Sequence, residues 1–147
     1  NGNNKDANWR FPKGVTEGRV GEVKNIYFSN IKCTSENGVY VSAESNDKIS
    51  NIFFDNVDVF IDKTTSIAGG VYDRRPSKVE GFVKGSTSGF YFDAAKSITV
   101  RNCSVQWGNN KPNYFAHVVE SKNVDSLKLF NVEGVAAFPD KLEAIKK

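Results

Sequence analysis

Methionine is absent from this chain, histidine occurs once, cysteine twice, and no apolar run approaches membrane-spanning length. Each shortage removes a class of function. A transmembrane helix needs about 20 consecutive apolar residues, so no membrane span is expected. A zinc site draws on several His and Cys ligands at fixed spacing, which the lone His117 and the separated Cys33 and Cys103 do not supply. No metal or other cofactor is therefore expected, although scattered carboxylates leave calcium open. Walker-type glycine loops, GxSxG elbows, HExxH and paired CxxC motifs are also missing. Charge is nearly balanced, with 20 Lys and Arg against 17 Asp and Glu, and no basic stripe interleaves with aromatics. Nucleic acid is accordingly not an expected partner. With no Met, no secretory leader and a polar opening from Asn1 to Asp6, the chain is expected to be a piece of a longer protein.

What the sequence does contain is a repeated seven-residue phrase ending beside an asparagine: NIYFSNI from Asn25, NIFFDNV from Asn51, SITVRNC from Ser97 and SLKLFNV from Ser126. The asparagines Asn30, Asn56, Asn102 and Asn131 are separated by 26, 46 and 29 residues. Taking 46 as two intervals of 23 gives a fixed-period self-match, the signature of supersecondary units stacked on their neighbours. Within each copy the apolar residues alternate: Ile26 and Phe28, Ile52 and Phe54, Ile98 and Val100, Leu127 and Leu129. Alternation of this kind predicts half-buried strands rather than helices.

The alternation continues past each asparagine through Ile31 and Cys33, Val57 and Val59, Cys103 and Val105, and Val132. A second phrase, GVYV from Gly38 and GFYF from Gly89 with the looser HVVE from His117, supplies another strand per repeat. The expectation is an all-β fold, a right-handed parallel β-helix of about four to five coils with an asparagine ladder. Residues 1–22 read as a lead-in segment, 23–138 as the coils and 139–147 as a tail or cap, with Leu142 and Ile145 fitting a short helix or a last strand. The four asparagines are expected to stack at an inner turn with their amides bonded along the ladder, a scaffold role. Cys33 and Cys103 fall two or three coils apart, about 10–14 Å by strand spacing, too far for a disulfide, which needs Cα atoms within about 7 Å.

Two stretches interrupt the repeat, and loops on a rigid scaffold are where binding groups gather. Residues 63–89 hold five glycines and Pro76 together with Tyr72, Asp73, Arg74 and Arg75. The arginine forks suit bidentate capture of a carboxylate or of sugar hydroxyls, with Tyr72 as a stacking face. The same Asp-Arg-Arg-Pro stretch reads equally as a turn closed by its own ion pair. In the second stretch, Trp107, Tyr114 and Phe115 form a candidate sugar platform, with His117 and Glu120 as hydrogen-bonding or acid–base groups. Packing of Tyr114 and Phe115 on the scaffold, with His117 and Glu120 alternating outward, is the other reading.

The succession NIYFSNI, SENGVYV, NIFFDNV, GGVYDRRP, SITVRNCSVQWGNNKPNYF and VESKNVDSLKLFNVEGVAAFPD resembles the C-terminal coils of pectin-lyase-like β-helix proteins, over roughly residues 20 to 140. More narrowly it is similar to bacterial polygalacturonase-type glycoside hydrolases of family 28. That resemblance implies a secreted or periplasmic protein whose partner is a pectin-like or other plant polysaccharide, cleaved with inversion by two carboxyl groups. The family's Asn-Thr-Asp, Asp-Asp, Gly-His-Gly and Arg-Ile-Lys motifs are all missing here, so no catalytic residue carries over. The family's carboxylates lie on middle coils, and the expectation is that they precede this stretch in the parent hydrolase and that this piece alone is inactive. A non-catalytic carbohydrate-binding β-helix and a structural one, such as an adhesin or tailspike section, are the alternatives.

Overall fold

A computed structural model describes residues 21–74 and 81–147. The described residues are all-β, with no helix. Four long strands carry the fold: β1 (Val23–Ser35), β3 (Ile49–Ile61), β6 (Phe90–Trp107) and β7 (Val119–Glu133). They pair in parallel in the order β1-β3-β6-β7, with the short β8 (Ile145–Lys146) beyond β7 and β2 (Val39–Ser42) set against the start of β6. A separate antiparallel pair, β4 (Val71–Asp73) and β5 (Phe82–Lys84), stands outside this sheet.

The repeated phrases lie in register. Ile26, Ile52, Ile98 and Leu127 occupy one column across the sheet, and Phe28, Phe54, Val100 and Leu129 the next on the same face. Burying like residues at the same step each time produces one continuous core, in which Ile52, Phe54, Ile98, Val100, Phe90 and Phe92 are sealed. At about 25 cal/mol per Å² of apolar area removed from water, this stacking is the main stabilising term. The second phrase is registered as well, Val39 to Val41 lying against Phe90 to Phe92. The third copy is offset by one residue from the expected frame, because Phe90 and Tyr91 face Val119 and Glu120, so it reads VVES rather than HVVE.

Two expectations are corrected by the register. Ile52 pairs directly with Ile98, so Asn56 and Asn102 belong to adjacent strands and no unmarked repeat lies between them. The extra residues after Ile61 leave the main sheet and include the β4–β5 pair. The asparagines, moreover, face outward: Asn30, Asn56, Asn102 and Asn131 are all exposed. Their backbones are left-handed, with φ between 49° and 57°, and Asn is among the few L residues that accept that region. Each marks a bend in its strand. Nδ2 of Asn56 donates to Oδ1 of Asn30 at 2.8 Å, and that of Asn131 to Asn102 at 3.1 Å, while Asn102 donates instead to Asp55 at 3.2 Å.

A second column of bends runs through Asn25 and Asn51, joined at 3.1 Å. Backbone conformation is the chief reason for asparagine at these exposed positions, which predicts an asymmetry. Asn56→Ala should cost about 1–2 kcal/mol, from the left-handed penalty and the lost amide. Asn56→Gly, which keeps the bend, should cost only a few tenths. Urea unfolding of the two variants decides between backbone and ladder, since equal losses would assign the role to the amide.

The C-terminal stretch turns at Phe138, whose carbonyl accepts from the amides of Lys141 and Leu142, before Ile145 joins the sheet. Of the two expected endings, the final strand is the one present. Cys33 and Cys103 are free, consistent with their lying two strand steps apart, with β3 between them.

Candidate functional site

Strand alternation divides the starts of β6 and β7 into two faces. Phe90, Phe92 and Val119 point into the core, so Tyr91, Asp93, Glu120 and Lys122 project from the other face. Tyr40 and Ser42 of β2 extend that face on one side, and Lys146 of β8 on the other. Residues from the insertion after Ile61 lie over it. Tyr72 stacks on Tyr40 at 4.3 Å between ring centroids, and Tyr40 on Tyr91 at 5.0 Å, with all three planes nearly parallel. The Tyr72 hydroxyl is within 2.9 Å of the Ser86 carbonyl and 3.0 Å of the Thr87 hydroxyl, which fixes the ring. Lys122 lies over the Tyr91 ring, 5.6 Å from its centroid.

Arg74 follows Tyr72 on the same segment. One guanidinium nitrogen donates to the Ser42 hydroxyl and lies 3.4 Å from the Asp93 carboxylate. Together these groups border a pocket of about 180 Å³, walled by Tyr40, Tyr72, Arg74, Tyr91, Asp93 and Lys122. Lys84 also lines it, so three cationic side chains meet one carboxylate at its wall. Burial and the nearby Asp93 carboxylate push the Tyr91 phenol up to about 12, and burial raises that of Tyr72. Both are hydrogen-bond donors across the physiological range.

Glu120 sits beneath this surface with 1% of its area exposed. The Ser86 and Ser88 hydroxyls donate to one carboxylate oxygen at 2.6 and 2.9 Å, and Lys146 donates to the other at 3.1 Å. Burial alone would push its titration up, but the hydrogen bonds from Ser86, Lys146 and Ser88 outweigh it and hold the group below the usual range. Glu120 is an ionised tether between the insertion and the sheet. It is therefore not poised to donate a proton.

Of the residues singled out by sequence, Tyr72 and Arg74 come together at the pocket, and Glu120 lies under it through Ser86. Asp73 is on the same strand, paired with Phe82 across the β4–β5 ladder. Arg75 lies outside the described residues. Trp107 and His117 are elsewhere. The Trp107 indole donates to the Val135 carbonyl at 2.8 Å and packs against buried Phe115, while Tyr114 covers Gly69 and Gly70. His117 is buried, with Nδ1 2.7 Å from the Glu143 carbonyl. Tyr114 and Phe115 pack on the scaffold as their structural reading anticipates, whereas His117 and Glu120 are buried rather than turned outward.

Tyr40, Tyr91 and Lys122 are pocket residues that sequence reading missed. A signal was present: GVYV and GFYF place a tyrosine at the same outward position of each copy. Among the described residues no group of three or more His, Cys, Asp or Glu gathers as a metal site. No family model matches this chain, and no curated protein or solved structure matches it either.

Proposed function

We propose that this chain forms coils of a right-handed parallel β-helix belonging to a polysaccharide-processing protein, and that its described part binds an acidic saccharide rather than cleaving it. The pocket of stacked tyrosines edged by Arg74, Lys84 and Lys122 carries this reading. Sugars are recognised by aromatic surfaces combined with fixed polar groups, and a guanidinium or ammonium at the rim suits a uronate carboxylate. The coil reading is supported by the left-handed residues that break β6 and β7 at matched positions, Ala94 beside Asn123 and Asn102 beside Asn131.

Binding is favoured over hydrolysis by the state of the acids. An inverting glycosidase needs one carboxyl group protonated and another free to activate water. Among the described residues, the carboxylates Glu22, Glu36, Asp47, Asp55 and Glu120 are all displaced downward. Asp93, the one carboxylate at the pocket wall, is engaged by Arg74. In the parent protein, the cutting step of a polygalacturonase-type hydrolase would be supplied by residues other than these.

Calorimetric titration with oligogalacturonate and with a neutral oligosaccharide of the same length tests the proposal. Oligogalacturonate should bind more tightly, with affinity falling as salt rises, and should release no reducing ends. The double variant Arg74→Ala/Lys122→Ala should lose about tenfold or more in affinity, a change of about 1.4 kcal/mol. Equal binding of the two sugars, or a double variant that binds like the parent chain, would rule the reading out.

A further inference from the structure

We propose that Asp93 is a specificity-determining residue of the tyrosine pocket: it competes with a ligand's carboxylate for Arg74 and so sets how strongly acidic sugars are preferred over neutral ones. This role rests on the saccharide reading above and names the group that limits it. Register places Asp93 in one column with Ser42 on β2 and Lys122 on β7, on the pocket side of the sheet. Of the residues lining the pocket it alone carries negative charge, against Arg74, Lys84 and Lys122.

Arg74 is held in place without it. Its backbone amide donates to the Gly81 carbonyl at 2.7 Å, extending the β4–β5 pair, and its guanidinium donates to the Ser42 hydroxyl. The Asp93 carboxylate comes only within 3.4 Å of that same guanidinium nitrogen, and the two side chains keep 16% and 29% of their surface exposed. A charge-assisted hydrogen bond is normally about 2.7–2.9 Å long. Elsewhere the chain makes a close pair of this kind, Arg101 forking onto Asp55 at 2.6 and 3.1 Å. Lys122 is turned to other partners, lying over Tyr91 and 3.9 Å from Glu120. Asp93 itself is steadied by Asn123, whose Nδ2 donates to its second oxygen at 3.3 Å. A fixed carboxylate therefore stands beside a guanidinium that it engages loosely.

The size of the pocket makes competition unavoidable. About 180 Å³ is less than the roughly 300 Å³ at which pockets begin to hold drug-sized molecules, so there is room for one sugar ring. A uronate carboxylate that forks onto Arg74 in that space must displace the Asp93 contact and then lie beside the Asp93 charge, and two carboxylates sharing a site disfavour each other's ionised form. A neutral sugar makes no such exchange. Specificity that depends on a repulsive group is altered by removing that group. Taking away the Asp93 charge removes competitor and repulsion together, while Ser42 and Gly81 still hold Arg74.

Calorimetric titration of the parent chain, Asp93→Asn and Asp93→Ser with oligogalacturonate and with a neutral oligosaccharide of the same length tests this. Both substitutions should raise the ratio of acidic to neutral affinity by about tenfold, and the rise should shrink as salt increases. In an Arg74→Ala background they should change the ratio much less, because the competition is for Arg74. Unfolding midpoints should stay close to the parent chain's, since a partly exposed pair contributes little to stability; a large drop in both variants would assign the pair to the scaffold instead. A ratio that falls or does not move overturns the proposal and makes Asp93 a positioning group for Arg74. A rise with Asp93→Asn that Asp93→Ser does not reproduce overturns it as well, since both remove the charge. If neither sugar binds any of these proteins, the saccharide reading falls and the role of Asp93 with it. Preferential oligogalacturonate binding with an unaltered ratio removes the role of Asp93 alone.

Discussion

Glu120→Ala should lower the unfolding free energy by about 2–4 kcal/mol, because it leaves Lys146 and the Ser86 and Ser88 hydroxyls without the carboxylate that gathers them. Glu120→Gln keeps the volume and one acceptor but loses the charge, and should cost less. The same tether holds Ser86, whose carbonyl accepts from Tyr72, so saccharide affinity should fall together with stability. The pH dependence follows from the downward shift. A carboxyl group whose folded value lies below its unfolded value contributes stability above the unfolded one, about 4.3 for Glu, and loses it as pH falls through the folded one. Glu36, brought down to about 2 chiefly by the Lys63 ammonium, acts in the same direction. The parent chain should therefore lose stability on acidification from about pH 5 toward pH 2, and Glu120→Ala should lose less over that interval. Urea titrations at each end of the interval measure both effects; identical acid sensitivity in the two proteins would remove Glu120 from the account.

The strand columns were legible in the sequence because burial repeats at the same step each time, as in Ile26, Ile52, Ile98 and Leu127. The nature of the second interval was not. Counting residues cannot distinguish two short turns from one turn carrying an insertion, since both span the same 46 positions. The telling sign was that residues 63–89 contain no copy of the asparagine phrase at all. Orientation of the asparagines was hidden for a different reason. Side-chain parity assumes an unbroken strand, and a left-handed residue such as Asn56 bends the path and resets which face comes next. Pocket chemistry was half legible. Tyr72 and Arg74 stood out as an aromatic and a cation inside an irregular stretch, whereas the serine partners of Glu120 come from residues 32 to 34 positions away and depend on how the insertion folds back.

Gly38→Ala should be the most damaging small substitution in the described residues, although nothing about the backbone angle of Gly38 demands glycine. The cause is proximity: a Cβ on Gly38 would drive into the carbonyl oxygens of Ser88 and Gly89, which are backbone atoms held by the β2–β6 pairing and unable to swing aside. The amide of Val39 donates to the Gly89 carbonyl at 2.9 Å, so relieving the clash means pulling β2 away from β6. That separation would expose Phe90 and Phe92, both fully buried, and would lift Tyr40 from Tyr91 and Tyr72. Backbone displacement with partial exposure of two core phenylalanines places the loss at about 3 kcal/mol or more. Gly21→Ala provides the control, because a Cβ there meets no atom within 4 Å, and its effect should stay within about 0.5 kcal/mol. Thermal and urea unfolding of the two alanine variants, read beside tyrosine fluorescence as a report on the stacked rings, tests the assignment. A Gly38→Ala chain with parent stability and unchanged tyrosine emission would show that β2 does not lie against β6 at this distance, and the binding surface built on that contact would fall with it.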